Sequence, residues 1–261
     1  MSMEQIPLGA TGAHVPKIGF GTWQYRGGGG VLRRAVELQA GFVDTAELYD
    51  TEERVAEDIA GIRDQIFVAT KISPANLAYD DVLRHAEMSL KRLRTEVLDL
   101  YQVHWHNPDI AISETMRAMN VLVREGRVRF VGVSNFSVDQ MRETQDALGG
   151  TPLASNQVKY NLLARDVEAD VLPYCQEHDI TVIAYSPLAK GDYAQQGLDV
   201  ARGVADEAGK TVTQVMLNWL VAHPAVMAIP KTDQAERVDE AVGAVGWSLT
   251  PEQRAALESG V

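Results

Sequence analysis

Eight short apolar runs punctuate this chain, each followed by a stretch with helical patterning, and no other feature restricts the fold as strongly. They occupy residues 17–21, 41–44, 66–70, 98–103, 128–133, 154–158, 180–185 and 226–229. Each run is continuous rather than alternating, and rich in Val and Ile. A strand with one wet face alternates polar and apolar residues. A continuous run is buried on both faces, as in a parallel sheet covered by helices. Between the runs, Val82, Ala86, Leu90 and Leu93 share one helical face, as do Val238, Val242 and Val245. Ser137 with Gln140 has the pattern of a capping box, and Thr250-Pro251-Glu252-Gln253 is another, with proline at the first helical position. Repetition at a spacing of roughly thirty residues predicts an α/β fold of the closed (β/α)8, or TIM-barrel, type, as a single domain over residues 1–261. Residues 6–15, with Gly9 and Gly12, read as a hairpin at the barrel bottom. The glycine run 27–30 reads as a flexible loop before a helix.

Composition narrows the function classes. Hydrophobic residues make up 46% of the 261 positions, enough for a large core and too many for a disordered chain. No run is long and apolar enough for a membrane span. The first eight residues lack a basic region followed by an apolar stretch, so no signal peptide is expected and a cytoplasmic location is. The lone Cys175 agrees with a reducing compartment. A net charge of -12 repels phosphate backbones, which argues against nucleic acid as a partner. A polyanionic cofactor would need a local basic cluster set against that background.

Barrels of this type carry their active sites at the C-terminal ends of the strands. The residues that close the runs are Thr22 and Trp23, Asp44, Lys71, His104, Ser134 and Asn135, Gln157, Tyr185 and Ser186, then Lys231 and Thr232. Four groups on adjacent strand ends suit proton transfer: Asp44, Tyr49, Lys71 and His104. A free tyrosine titrates near ~10, too high for an efficient acid at neutral pH. A lysine ammonium beside it stabilises the phenolate and lowers that value. Asp44 would hold the lysine charged, and His104 would orient a carbonyl oxygen. None of the four supplies hydride, so a cofactor must. Taken singly, Asp44 reads as a helix cap, Tyr49 as a half-buried aromatic, Lys71 as a solvated strand end and His104 as a satisfied polar residue. The argument rests on all four arriving together.

These residues resemble the aldo-keto reductases from about Leu8 to Leu257. Residues 41–49, GFVDTAELY, are similar to the family signature around its Asp and Tyr. So are SLKRL with DLYQVHW, GVSNF, NQVKYN, AYSPL, and IPKT with Arg237 and Glu240, in the family's order and spacing. The resemblance implies NADP(H) binding and reversible reduction of aldehydes or ketones, with Tyr49 as general acid and no metal. It implies cofactor contacts from Gly21, Thr22 and Trp23, and from Ser134, Asn135 and Gln157 to the nicotinamide carboxamide. Tyr185 would stack on the nicotinamide, and Ser186 and Leu188 would touch the pyrophosphate. Lys231, Thr232 and Arg237 would take the adenosine 2′-phosphate, with Glu240 closing the set. Trp23, Trp105 and His106 are the substrate-contact candidates, and a monomer is expected.

Three departures stand out. Ala241 replaces an Asn that faces adenine in many relatives, and His106 replaces a common proline. Only thirty residues follow Lys231, and the loop 105–112 is short, so an open, shallow pocket is expected. Two other readings stay in view: an NADP-binding regulatory subunit with little turnover, and a barrel that forms a Schiff base on Lys71.

Overall fold

A computed structural model describes residues 3–192 and 194–260. Eight parallel strands form one sheet: β3 (Phe20–Gly21), β4 (Phe42–Asp44), β5 (Phe67–Ile72), β6 (Leu98–Val103), β7 (Val128–Ser134), β8 (Leu153–Lys159), β9 (Thr181–Tyr185) and β10 (Val226–Ala228). They pair in chain order, and the first and last close the ring. Ile18 bridges Ala228 in the parallel sense. The Gly19 N–H donates to the Ala228 carbonyl at 2.9 Å, and the Gly21 N–H to Pro230 at 3.1 Å. Closure leaves no sheet edge, which removes the cost of unpaired backbone groups. All eight apolar runs fall on these strands, with ends moved by at most three residues.

The helices are α1 (Val31–Glu37), α2 (Glu52–Asp58), α3 (Tyr79–Leu93), α4 (Ile112–Arg124), α5 (Val138–Leu148), α6 (Val171–Glu177), α7 (Gln195–Ala208), α8 (Val212–Val221), α9 (Glu236–Val242) and α10 (Pro251–Gly260). On α3, Val82, Ala86, Leu90 and Leu93 are buried against the sheet, as their spacing predicts. The Ser137–Gln140 capping box opens α5 with both of its hydrogen bonds. The Thr250–Gln253 box opens α10 in the same way. The face Val238, Val242, Val245 is only partly helical: α9 ends at Val242, and Val245 buries from the turn beyond it. The seventh unit contains an added helix, α7, against which α10 packs. Trp219 and Arg254 tie α10 down through bonds to Glu258 at 2.9 Å and to the Trp219 carbonyl at 3.1 Å. The C-terminal helix therefore docks on the flank of the barrel, away from its mouth.

The hairpin pairs β1 (Gln5–Pro7) antiparallel to β2 (His14–Pro16). It sends Ile6, Leu8 and Val15 into a cluster with Phe42, Ala69, Leu100, Ala154, Ile183 and Met227. That cluster fills the barrel lumen from below, so the interior is a packed core, not a pore. Leu8 is fully buried there, worth about 1.5–3 kcal/mol of transfer free energy. Thr181 fixes the hairpin in place. Its hydroxyl donates to the Pro7 carbonyl and accepts the Gly9 N–H, both at 2.8 Å.

Candidate active site

The C-terminal ends of the strands open into a cleft of about 730 Å³. Gly21, Thr22 and Trp23 line it, together with Asp44, Tyr49, His104, Trp105, Ser134, Asn135, Gln157, Tyr185, Ser186, Leu188, Lys231 and Arg237. Lys71 lies beneath its floor, fully buried. A larger depression, about 1120 Å³, sits at the hairpin end. Several of its charges pair with one another, as where Arg63 and Arg129 share Asp99 at 2.8 and 2.9 Å, and it holds none of the strand-end residues.

Asp44 organises the floor. Its Oδ1 accepts the Lys71 ammonium at 2.5 Å, and Oδ2 accepts the Gln157 amide at 2.8 Å and the Gln102 amide at 3.3 Å. Lys71 donates also to the Thr45 carbonyl at 2.8 Å. The pair is almost completely sealed from water, so each charge depends on the other. Asp44 caps no helix. The Lys71 Nζ lies 4.9 Å from the centre of the Tyr49 ring, and the Tyr49 hydroxyl meets His104 Nε2 at 3.4 Å. The four residues, drawn from β4, the turn after it, β5 and the end of β6, converge on one point.

Burial is the largest influence on Tyr49 and raises its pKa. The Lys71 charge pulls it down, the Asp44 charge raises it again, and the phenol ends above its ordinary value. The expected lowering by lysine is real as a contribution, but desolvation outweighs it. His104 is pushed down to about 3, first by burial and then by the Lys71 charge, so its imidazole is neutral at physiological pH. The His104 Nδ1 is buried without a protein partner among the described residues, and the ring stacks on Trp105 at 3.9 Å.

Beside this centre lies a band of amides and hydroxyls. Asn135 sits in the left-handed region at φ 61°, where its side chain donates to the His104 carbonyl at 3.1 Å and accepts the Tyr185 hydroxyl at 3.0 Å. Ser134 donates to the Gln157 carbonyl at 2.8 Å. Gln157 spends its Nε2 on Asp44, and its Oε1 has no protein donor among the described residues. Lys231 and Arg237 supply positive charge to the cleft. A cleft lined by an amide acceptor, an aromatic ring and cations fits a dinucleotide phosphate.

Trp23 and Trp105 are 47% and 43% exposed, so the aromatic walls stand open to solvent. No described residue beyond Arg237 lines the cleft. Besides Lys71 beneath the floor, three sequence candidates do not line it. Thr232 is buried, with its hydroxyl engaged in a turn with Gln234. Glu240 is half-buried on α9. His106 packs edge-on against Phe136 at 5.9 Å.

Other lining residues carry no motif. Val212, Thr213 and Met216 come from the start of α8, and Lys190 lies 4.3 Å over the Trp23 ring. Glu47 lies inside the signature itself. It shares a 3₁₀ turn with Tyr49, and its carboxylate accepts the Ser73 N–H at 2.6 Å, the Asn76 amide at 2.9 Å and His85 Nδ1 at 2.7 Å. Those bonds tie the tyrosine turn to the chain just past Lys71. Nothing in the local pattern of Glu47 announces partners so far along the sequence.

The profile of the Aldo/keto reductase family matches residues 17–260. The methylglyoxal reductase YeaE of Escherichia coli is 35% identical over 94% of this chain and 90% of its own length. The glyoxal reductase of Bacillus subtilis is 30% identical over 95% of this chain and 90% of its own. Among solved structures, a thermostable aldo-keto reductase bound to the inhibitor epalrestat superposes with a TM-score of 0.89 at 36% identity, covering 98% of this chain and 99% of that one. An aldo/keto reductase from Klebsiella pneumoniae, in complex with NADP and acetate, gives 0.84 at 37% identity, covering 97% and 94%. Barrel, strand-end residues and relatives agree, and the chain belongs to the aldo/keto reductase family.

Proposed function

We propose that this chain reduces small aldehydes and ketones, dicarbonyls such as methylglyoxal foremost, using NADPH, with Tyr49 as the proton donor. The observation that carries the reading is the approach of the Tyr49 hydroxyl to His104 Nε2, 3.4 Å apart, above the sealed Asp44–Lys71 pair. NADPH, when bound, supplies the hydride. Ser134, Asn135 and Gln157 would hold its carboxamide, Tyr185 its ring face, Ser186 and Leu188 its pyrophosphate, and Lys231 and Arg237 its 2′-phosphate.

Everything else falls to the chain's own side chains. A neutral His104 donates from Nε2 to the carbonyl oxygen and orients it. Tyr49 gives its proton to that oxygen as negative charge develops there. The Lys71 charge stabilises the phenolate left behind, which takes up a proton from solvent. Asp44 pairs with the Lys71 ammonium and fixes it beneath the phenol. The same ion pair opposes a Schiff base on Lys71, since a charged amine is no nucleophile. Open tryptophan walls suit small, varied carbonyls, and both named relatives act on such compounds.

The test follows NADPH oxidation across methylglyoxal, glyoxal, aldoses, keto acids and a polycyclic ketone. Turnover of the small dicarbonyls is expected. Tyr49→Phe should lose about 10²–10⁴-fold in kcat with NADPH affinity unchanged, the range for a positioned acid. Absence of turnover with every aldehyde would favour a cofactor-binding subunit. Activity confined to the polycyclic ketone would overturn the pocket reading.

A further inference from the structure

Lys231 and Arg237 are not equivalent cations. Arg237 makes no ion pair and no side-chain hydrogen bond among the described residues, whereas the Lys231 ammonium is engaged by Asp233 Oδ2. The carboxylate is itself held. Its Oδ1 accepts the Arg26 N–H at 3.1 Å. The loop after β3 packs against the backbone of the same residue: a Cβ on Gly29 would fall 2.5 Å from the Asp233 main-chain carbonyl oxygen, so only glycine allows this approach. Partial burial would push the Asp233 carboxyl up. The bonds from Lys231 and the Arg26 N–H, and the charges of both side chains, outweigh it and hold the group below its ordinary range. A fixed anion therefore sits beside a cation that lines the cleft.

We propose that Asp233 sets the cofactor selectivity of this chain, acting as an internal counter-ion for Lys231 and so narrowing the preference for NADPH over NADH. The inference rests on reading Lys231 and Arg237 as the 2′-phosphate cradle. A 2′-phosphate brings nearly two negative charges. To be held by Lys231 it must share or displace the Asp233 carboxylate, and it meets like charge as it does so. NADH carries a neutral ribose hydroxyl at that position, which a carboxylate accepts as a hydrogen bond, as acidic residues do in NAD-binding folds. Asp233 thus penalises one cofactor and not the other, and Arg237 alone remains as an uncommitted cation for the phosphate.

The experiment measures dissociation constants for NADPH and NADH by quenching of tryptophan fluorescence, without substrate, for the wild type, Asp233→Asn and Arg237→Ala. Asparagine keeps the shape and the acceptor for the Arg26 N–H while removing the charge. Asp233→Asn should tighten NADPH about tenfold, the scale of one partly screened charge contact, and leave NADH unchanged or weaker. Asp233→Ser, read in the same way, guards against a local misfit of the amide. If Arg237→Ala weakens NADPH selectively but neither Asp233 variant raises the NADPH-to-NADH affinity ratio, the proposal is overturned while the cradle stands. If Arg237→Ala leaves that ratio untouched, the cradle itself is wrong, and the role of Asp233 goes with it.

Discussion

Removing the Asp44 carboxylate separates the structural from the chemical duty of the buried pair. In Asp44→Asn the Lys71 ammonium, fully enclosed, keeps only the Thr45 carbonyl as an acceptor, and the amides of Gln157 and Gln102 meet a weaker one. Stranding one partner of a buried pair costs about 3–5 kcal/mol. At about 2–4 °C per kcal/mol for a protein of this size, Tm should fall by roughly 6–20 °C. Lys71→Met leaves Asp44 with its two amide donors and should cost less, near ~3 kcal/mol. The double variant removes both charges from the same volume. Its stability should exceed the additive expectation by about 2–3 kcal/mol, the coupling of residues in direct contact. Urea unfolding followed by tryptophan fluorescence gives the cycle, and NADPH oxidation gives the activity of each member. Catalysis should stay lost in the double variant even as stability returns, because the phenolate no longer has a cation beneath it. Additive stabilities, or a double variant as active as the wild type, would refute the account.

Two further outcomes follow from the same geometry. His104 titrates in the fold at about 3 against an ordinary 6.5, so the unfolded chain binds a proton that the fold refuses. Stability should therefore fall as pH drops from about 6.5 towards 3, and His104→Gln should flatten that loss; equal acid sensitivity of the two proteins in urea titrations would count against it. Glu47→Ala cuts the ties from the tyrosine turn to Ser73, Asn76 and His85, and should lower kcat by about 10- to 100-fold with NADPH affinity unchanged, the cost of a small misplacement of an acid. An unaltered kcat would mean that the turn holds itself.

The barrel was legible because it is written in local periodicity. Continuous apolar runs and helical spacing recur along the chain, and each residue's neighbours in sequence suffice to read them. The strand-end residues followed, since a closed parallel sheet must place Thr22, Asp44, Lys71, His104, Asn135, Gln157 and Lys231 on one rim. Which of those residues hold one another was not legible. Asp44 is shared by Lys71, Gln157 and Gln102, and Glu47 reaches His85, through contacts made only once the ring has closed. The direction of the Tyr49 shift was hidden for a related reason: desolvation depends on how much protein surrounds the phenol, and it outweighed the lysine that the motif announces. That Asp233 engages Lys231 at the edge of the cleft, while accepting the Arg26 N–H from the loop after β3, emerges only once that loop has packed against it. Periodicity belongs to the chain, whereas burial and charge pairing belong to the enclosed volume, and that volume exists only in the folded barrel.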